Sequence, residues 1–406
     1  MLYLMSKNTL VAKFENNFMQ VENEDLLPLY FEKHTELNEW LRKRAIDSHR
    51  TNSRLLKKAL RLAEKDDVST VLKFNAATIT DTYWVKDDHS KLTYEDVRFK
   101  TNFFDTLALR GDLNAFNQDS SRTPELTNTG SFEKCWRLIN NEWWMYKSGS
   151  NDAYFSELFI CEFSKKMGFP TAEYEMDGGY IRTRDFTQNG KYNHEPMSSL
   201  IDDDEDYSNN FNLIYSINPK FAADYLKLIY TDAICYNVDR HTENYGFLRN
   251  PDTGKIVSLS PNYDNNIALV SNGPLKSPTS KDALIQFYMD FLKNNRQARS
   301  MFKSLNIQPL SKQKIEECLK KVPIESKYDI VDIISKRQEI FWDAFQQMYS
   351  KSPQIIKELS ANSYEKPLKD NLHWCAERWI ILDEGLFPEV QWSDEEPTKV
   401  KLIIDK

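Results

Sequence analysis

The sequence predicts an α+β protein in two parts, β-rich from residue 1 to about 185 and mainly helical from 186 to 406. Three observations carry that expectation. Short β-branched and aromatic runs bounded by turn residues crowd the first part, most clearly between Phe132 and Lys147. Beyond Phe221, apolar residues recur at helical spacing. Between them, a polar stretch after Phe186 runs through Asp202-Asp203-Asp204-Glu205-Asp206 and marks the change of character.

Composition narrows the class. Of 406 residues, 40% are apolar and 13% aromatic, enough for a sizeable core and too many for a disordered chain. The 11 glycines exclude collagen-like and Gly-rich architectures. With 53 basic against 61 acidic residues and a net charge of −8, the chain has no general attraction for nucleic acid or an anionic membrane. No run approaches the ~20 apolar residues of a membrane helix, and Met1-Leu2-Tyr3-Leu4-Met5 is too short for a signal-peptide core. Five cysteines (Cys135, Cys161, Cys235, Cys318, Cys375) are far apart and never form C-x-x-C, which fits reduced thiols. The expectation is a soluble, cytoplasmic globular protein.

Taken in order, Leu10 to Val21 alternates around Glu15-Asn16-Asn17 and reads as a hairpin. Leu37 to Ala63 reads as two helices, broken and N-capped within Arg50-Thr51-Asn52-Ser53. Val71-Leu72-Lys73-Phe74 and Thr82-Tyr83-Trp84-Val85 are β-prone, and Gly111 to Asn128 is a polar loop. Cys135–Ile139 and Trp143–Tyr146 flank the turn pair Asn140-Asn141, a hairpin. Tyr154 to Met167 is an amphipathic helix with Phe155, Leu158, Phe159 and Phe163 on one face, stopped by Gly168 and Pro170. Strands follow at Ala172–Met176 and Tyr180–Arg184. Phe221 to Val238 is a core-facing helix, Asp239 to Leu269 a loop and strand region, and helices are expected near Asp282–Leu292, Ser311–Lys321 and Tyr328–Tyr349.

The chemistry-bearing cluster is Asn237-Val238-Asp239-Arg240-His241-Thr242-Glu243-Asn244, followed by Pro261-Asn262-Tyr263-Asp264-Asn265-Asn266 after the β-run Lys255–Leu259. Phosphoryl transfer to a hydroxyl needs a carboxylate near the nucleophile's proton, and an amide oxygen with a second carboxylate to hold magnesium on the phosphates. Asp239 and Asn244 have the D-x-x-x-x-N spacing of a kinase catalytic loop, and Asp264 supplies the second carboxylate. A salt-bridged helix cap is the plainer reading of Asp-Arg-His. Upstream, a kinase needs a strand lysine for the phosphates and a helix glutamate to orient it. Lys147 ends the hairpin and Glu157 lies one turn into the next helix. Thr127-Asn128-Thr129-Gly130-Ser131 stands where a phosphate-covering loop belongs, with one Gly and small hydroxyl residues able to expose backbone N–H groups.

These pieces, from Thr127-Asn128-Thr129-Gly130-Ser131-Phe132-Glu133-Lys134 through Tyr146-Lys147, Glu157, Gly168 and Asn237–Asn244 to Tyr263-Asp264, resemble the HipA-like serine/threonine kinase family. The resemblance covers residues 127 to 266 and implies a two-lobed protein-kinase-like fold, its N-lobe with an N-terminal subdomain. It implies Asp239 as catalytic base, Asn244 and Asp264 as Mg²⁺ ligands, Lys147 as the ATP-phosphate lysine and Glu157 as its partner. It also implies that a loop hydroxyl, Thr127 by position or Thr129 or Ser131, is phosphorylated by the enzyme itself. Phe132 departs from the family, standing where many relatives carry Gln. Many relatives are toxins held by a separately encoded antitoxin.

On this reading ATP lies between the lobes with its adenine on backbone near Arg184-Asp185-Phe186, and the acceptor is a Ser/Thr hydroxyl of a protein, with no direct nucleic-acid or membrane partner. Asp-Arg-His-x-x-Asn also resembles the catalytic loop of phosphoinositide-type lipid kinases, where His241 would help position the nucleophile or the phosphoryl group; pinning the loop is the alternative. Two rival functions stay open, a lipid or small-molecule kinase and a pseudokinase. Against a lipid acceptor, Asn265 to Lys281 holds only Lys276 and Lys281 as basic residues. A Cys235–His241 nucleophile pair lacks an orienting acid, Asp202–Asp206 lacks the Gly of a calcium loop, and the six scattered His argue against zinc.

Overall fold

The structure, a computed structural model, describes residues 1–350 except 16–17, 63–64, 118–121 and 273–281, and beyond them only the strands Val390–Trp392 and Val400–Leu402. The chain forms two units, Met1–Lys276 with Leu310–Asp332, and Ser277–Pro309 with Ile333–Lys406. No helix among the described residues is long and apolar enough to cross a membrane.

The first unit opens with β1 (Leu2–Ser6), β2 (Thr9–Glu15) and β3 (Phe18–Val21), then α1 (Leu37–Lys43), α2 (Ser53–Ala59), α3 (Asp67–Lys73) and β4 (Tyr83–Asp87). The four strands make one sheet in the order β3-β2-β1-β4, and Leu4, Val11, Trp40, Leu41 and Val71 share its core. The β-prone run at Val71–Phe74 is the end of a helix instead, Phe74 being its C-cap: the Asp66 carboxylate caps the start of α3 by accepting from Ser69 N–H at 2.8 Å, and Val71 is buried. A cap and a place in the core override a local strand preference of under about 1 kcal/mol.

After α4 (Tyr94–Val97) and α5 (Asp105–Arg110) come β5 (Lys134–Ile139), β6 (Glu142–Lys147), α6 (Asn151–Met167), β7 (Tyr174–Asp177) and β8 (Tyr180–Arg184). The second sheet runs β5-β6-β8-β7. Its tight hairpin works because Asn140 and Asn141 both take positive φ, 51° and 64°, the geometry that matches strand twist. Ser150 caps α6 on Ala153 N–H, and Gly168 ends it with φ 70°. Phe155, Leu158, Phe159 and Phe163 are all buried, as their spacing predicts.

β9 (Asn193–Pro196), α7 (Ser198–Ile201), α8 (Tyr207–Ile217), α9 (Pro219–Cys235), β10 (Gly246–Arg249) and β11 (Ile256–Leu259) follow, with a third sheet ordered β11-β10-β9. The boundary expected at 185/186 falls inside the first unit. Strand β9 ties the chain beyond it to the N-terminal part: His194 N–H donates to Thr80 O at 2.8 Å, and Thr82 N–H to Asn193 Oδ1 at 2.8 Å. Arg249 on β10 reaches Leu27 O at 2.8 Å and Glu195 at 2.7 Å. Side-chain and backbone bonds of this reach leave no mark in a local composition scan.

The remaining helices are α10 (Ala283–Asn294), α11 (Arg296–Ser304), α12 (Lys312–Leu319) and α13 (Ile330–Ser350). Within the second unit, Tyr288, Phe302, Phe341 and Phe345 form an aromatic core, and Arg337 pairs with Asp282 at 2.7 Å.

Candidate active site

Lys147 is the last residue of β6, and its side chain leaves the sheet toward α6. Its ammonium donates to Glu157 Oε1 at 2.9 Å and to Asp264 Oδ1 at 2.7 Å. Glu157 is fully buried, and its second oxygen accepts the Asn265 N–H at 2.9 Å. One carboxylate thus holds both the lysine and the backbone beside Asp264. Asp264 itself takes φ 59°, a left-handed conformation costly for a residue with a Cβ, and its N–H donates to the Tyr174 hydroxyl at 3.0 Å. Burial alone would neutralise these groups, but the opposed charges outweigh it. Lys147 is held well above the usual lysine range by Asp264 and Glu157. The Asp264 carboxyl is held down at about 2 by Lys147 and Lys134.

The loop after α9 is pinned by Arg240. Its guanidinium forms an ion pair with Asp232 on α9 at 3.0 Å and donates to Asn244 O, Tyr263 O and the Asn262 and Asn265 side chains at 2.7–2.8 Å. Asn237 Oδ1 accepts Asp239 N–H at 3.1 Å, and Asn244 Nδ2 donates back to Asp239 O at 2.8 Å. The plain salt-bridged cap is therefore present, and it is what fixes the loop. Asp239 points its carboxylate into the cavity with no hydrogen bond or ion pair to the described residues. Burial raises its pKa, Asp264 adding to the rise and His241 and Arg240 opposing it. His241 Nδ1 accepts Glu243 N–H at 3.3 Å, so its ring braces the loop while lining the same cavity.

That cavity, about 610 Å³, is lined by Lys147, Asp239, His241, Asn244 and Asp264, by Thr127 to Phe132, and by Arg184 and Phe186. Of the residues singled out in sequence, Glu157 alone does not line it; it stands behind Lys147. Asn244 Oδ1 and Asp264 Oδ2 carry no hydrogen bond among the described residues. They are hard oxygen donors of the kind magnesium takes, so the donor set fits that ion.

The loop hydroxyls differ. Thr127 is buried, its hydroxyl donating to Ala77 O at 2.7 Å and Pro124 O at 3.2 Å, whereas Thr129, Gly130 and Ser131 are exposed. Arg184 turns its guanidinium onto Glu142 and is half exposed. The Phe186 ring packs on His194 and Tyr263, each 5.3 Å away. Lys276 and Lys281 lie outside the described residues.

Sequence reading gave no role to Lys134 or Tyr174, and to Arg240 only that of a helix cap. Lys134 lies beside Gly130: a Cβ at Gly130 would stand 2.3 Å from its ammonium. Burial lowers Lys134 to about 8, Asp264 resisting and Lys147 adding to the fall. Its place at the start of β5, opposite Lys147 on β6, was the available signal.

A strand lysine between a helix glutamate and a loop aspartate, set against a D-x-x-x-x-N loop, belongs to the two-lobed, α+β, kinase-like folds. Among solved structures, the chain is similar to HipA of Shewanella oneidensis, determined with HipB and its operator DNA, at 11% identity over 85% of this chain and 97% of that one, with a TM-score of 0.54. The chain shares the fold of that HipA structure. A second similar structure is the Helicobacter pylori proinflammatory kinase CtkA, at 21% identity over 54% of this chain and 95% of that one, with a TM-score of 0.44. No family model matches the chain, and no curated protein matches its sequence.

Proposed function

We propose that this chain is an ATP- and Mg²⁺-dependent serine/threonine protein kinase of the HipA toxin type, acting on a protein hydroxyl and restrained by a separately encoded antitoxin. The observation that carries the reading is the contrast in one cavity between paired and unpaired polar groups. Lys147, Glu157 and the Oδ1 of Asp264 are locked together at 2.7–2.9 Å, while the Asp239 carboxylate and Asn244 Oδ1 are unengaged among the described residues. Core polar groups are normally satisfied, and groups left open at a cavity are available to a ligand.

In this reading Asp239 orients the acceptor hydroxyl and takes its proton, Lys147 holds the phosphates, and Glu157 keeps Lys147 on its strand end. Asn244 and Asp264 would hold Mg²⁺, which when bound neutralises charge on the β- and γ-phosphates. Arg240, through Asp232 and the Tyr263 carbonyl, keeps the base and the metal side chains in register. Phe186 and the neighbouring backbone take the adenine, residues through 185 forming the nucleotide-covering lobe and residues from 186 supplying the catalytic loop. Among the loop hydroxyls, exposure favours Thr129 and Ser131 over Thr127 as self-phosphorylation sites.

The test is transfer from γ-labelled ATP, with protein and lipid acceptors in parallel. Label on protein is expected with Mg²⁺ and is lost with EDTA. Asp239→Ala should lower transfer at least about 10³-fold with an unchanged melting temperature. Near-normal transfer by that variant ends the assignment of Asp239, and label confined to lipid ends the protein-kinase reading.

A further inference from the structure

Arg50 sits in the turn before α2, and its guanidinium is completely buried beneath the loop that covers the cavity. One nitrogen, Nη1, donates to Asn128 O at 3.2 Å; the other, Nη2, donates to Lys134 O and lies 3.5 Å from Glu125 Oε2. Asn128 and Lys134 are the two stems of the loop. Between them the exposed tip, Thr129 to Phe132, lines the cavity, and the stems Asn128 and Lys134 line it as well. Glu125 is also fully buried. It accepts Asn128 Nδ2 at 3.0 Å, Asn102 Nδ2 at 2.7 Å and Trp136 N–H at 2.7 Å, so it holds one stem and the strand that continues the other.

A fully buried charge pair is costly to form and is a poor source of stability compared with apolar packing. Here every partner of the pair but Asn102 lies on the neck of one loop or on the strand that continues it. We infer that Arg50, seated on Glu125, is a positioning residue for the nucleotide: a single planar guanidinium staples both stems of residues 128–134 and so holds the exposed tip over the triphosphate. The proposal rests on the kinase reading for its ligand. The staple itself is a property of the fold and is read separately. Lysine does not replace it, because a point donor on a flexible stem cannot bridge two carbonyls and a carboxylate in one plane.

The experiment uses the full chain, as wild type, Arg50→Lys and Asn128→Ala. Hydrogen–deuterium exchange over 129–132 is measured without ligand, and calorimetry with Mg-ATP and with adenosine. Both variants should raise exchange at the tip and weaken ATP by about ten-fold, the size of one lost charged hydrogen bond, while adenosine affinity stays within two-fold. Should Arg50→Lys fail to fold, Asn128→Ala tests the Glu125 arm of the same network: it removes the Nδ2 bond to Glu125 and keeps the guanidinium's bond to the Asn128 carbonyl. Unchanged exchange at the tip in a folded variant overturns the staple, whatever binds. Equal loss of ATP and adenosine also overturns it, marking general damage. A wild-type chain that binds neither ligand sinks the kinase reading while the exchange result still judges the staple.

Discussion

Lys134 and Lys147 face each other across one rung of the β5–β6 ladder, yet the cavity treats them differently. Lys147 has two carboxylates within 2.9 Å and stays charged well beyond the neutral range. Lys134 has no ion pair among the described residues, and burial brings its ammonium down to about 8. If its charge meets the phosphates beside Gly130, that contribution is present below pH 8 and lost above it, because only the protonated form attracts an anion. ATP affinity should therefore fall by up to about ten-fold per pH unit above 8, and Lys134→Met should be weaker at pH 7 and flat over the same range. Calorimetry from pH 7 to 9 checks this; a wild-type slope that survives in Lys134→Met removes Lys134 from the site. At this scale the side chains that meet in the cavity were legible because the proposed phosphoryl transfer demands particular residue types at particular spacings. Their supports were not. Arg50 lies 84 positions from Lys134, and Tyr174 lies 90 from Asp264, with no local pattern to join them.

Helix α6 shows how an element delivers a single side chain. Its apolar face buries Phe155, Phe159 and Phe163, which fixes its rotation and brings Glu157 against the end of β6. Its ends are set by Ser150 and by Gly168, where the added Cβ of an alanine would meet nothing within 4 Å but would have to adopt φ 70°. Gly168→Ala should therefore cost about 1 kcal/mol through backbone strain alone and lower the melting temperature by roughly 2–4 °C. Turnover should be unchanged, since Glu157 lies 11 residues, about three turns, before Gly168. A loss of activity at full stability would mean that the C-terminal end of α6 takes part in the site. The hairpin and α6 were readable from sequence because caps, turns and periodicity agree there. Helix α3 was misread because Val71 and Phe74 favour strands, and only the Asp66 cap and the core beneath β1–β4 decide otherwise. The change in composition at residue 186 lies within one compact unit, because β9 returns the chain to the N-terminal part by hydrogen bonds that composition does not encode.

At the scale of the whole molecule, the site is built from residues far apart in sequence but within one unit: β5, β6, α6, the loop after α9 and the residues beyond β11 all lie in Met1–Lys276. A ligand gripping all of them should therefore stabilise that unit as a body. Mass action gives about 2.7 kcal/mol when free nucleotide reaches 100 times its dissociation constant. For a unit of this size that is roughly 5–10 °C in the melting transition that reports it. The shift should require Mg²⁺, because without the ion the triphosphate meets the carboxylates of Asp239 and Asp264 unscreened. It should shrink in Asp264→Asn, where the proposed metal donor and the partner of Lys147 are weakened together. Differential scanning calorimetry with ATP, with and without Mg²⁺, reads this directly, and adenosine serves as the control that lacks phosphates. A shift equal for ATP and adenosine, and indifferent to Mg²⁺, would mean that the cavity binds a base but not a phosphate–metal complex. In that case the kinase-like fold carries a different function in this chain.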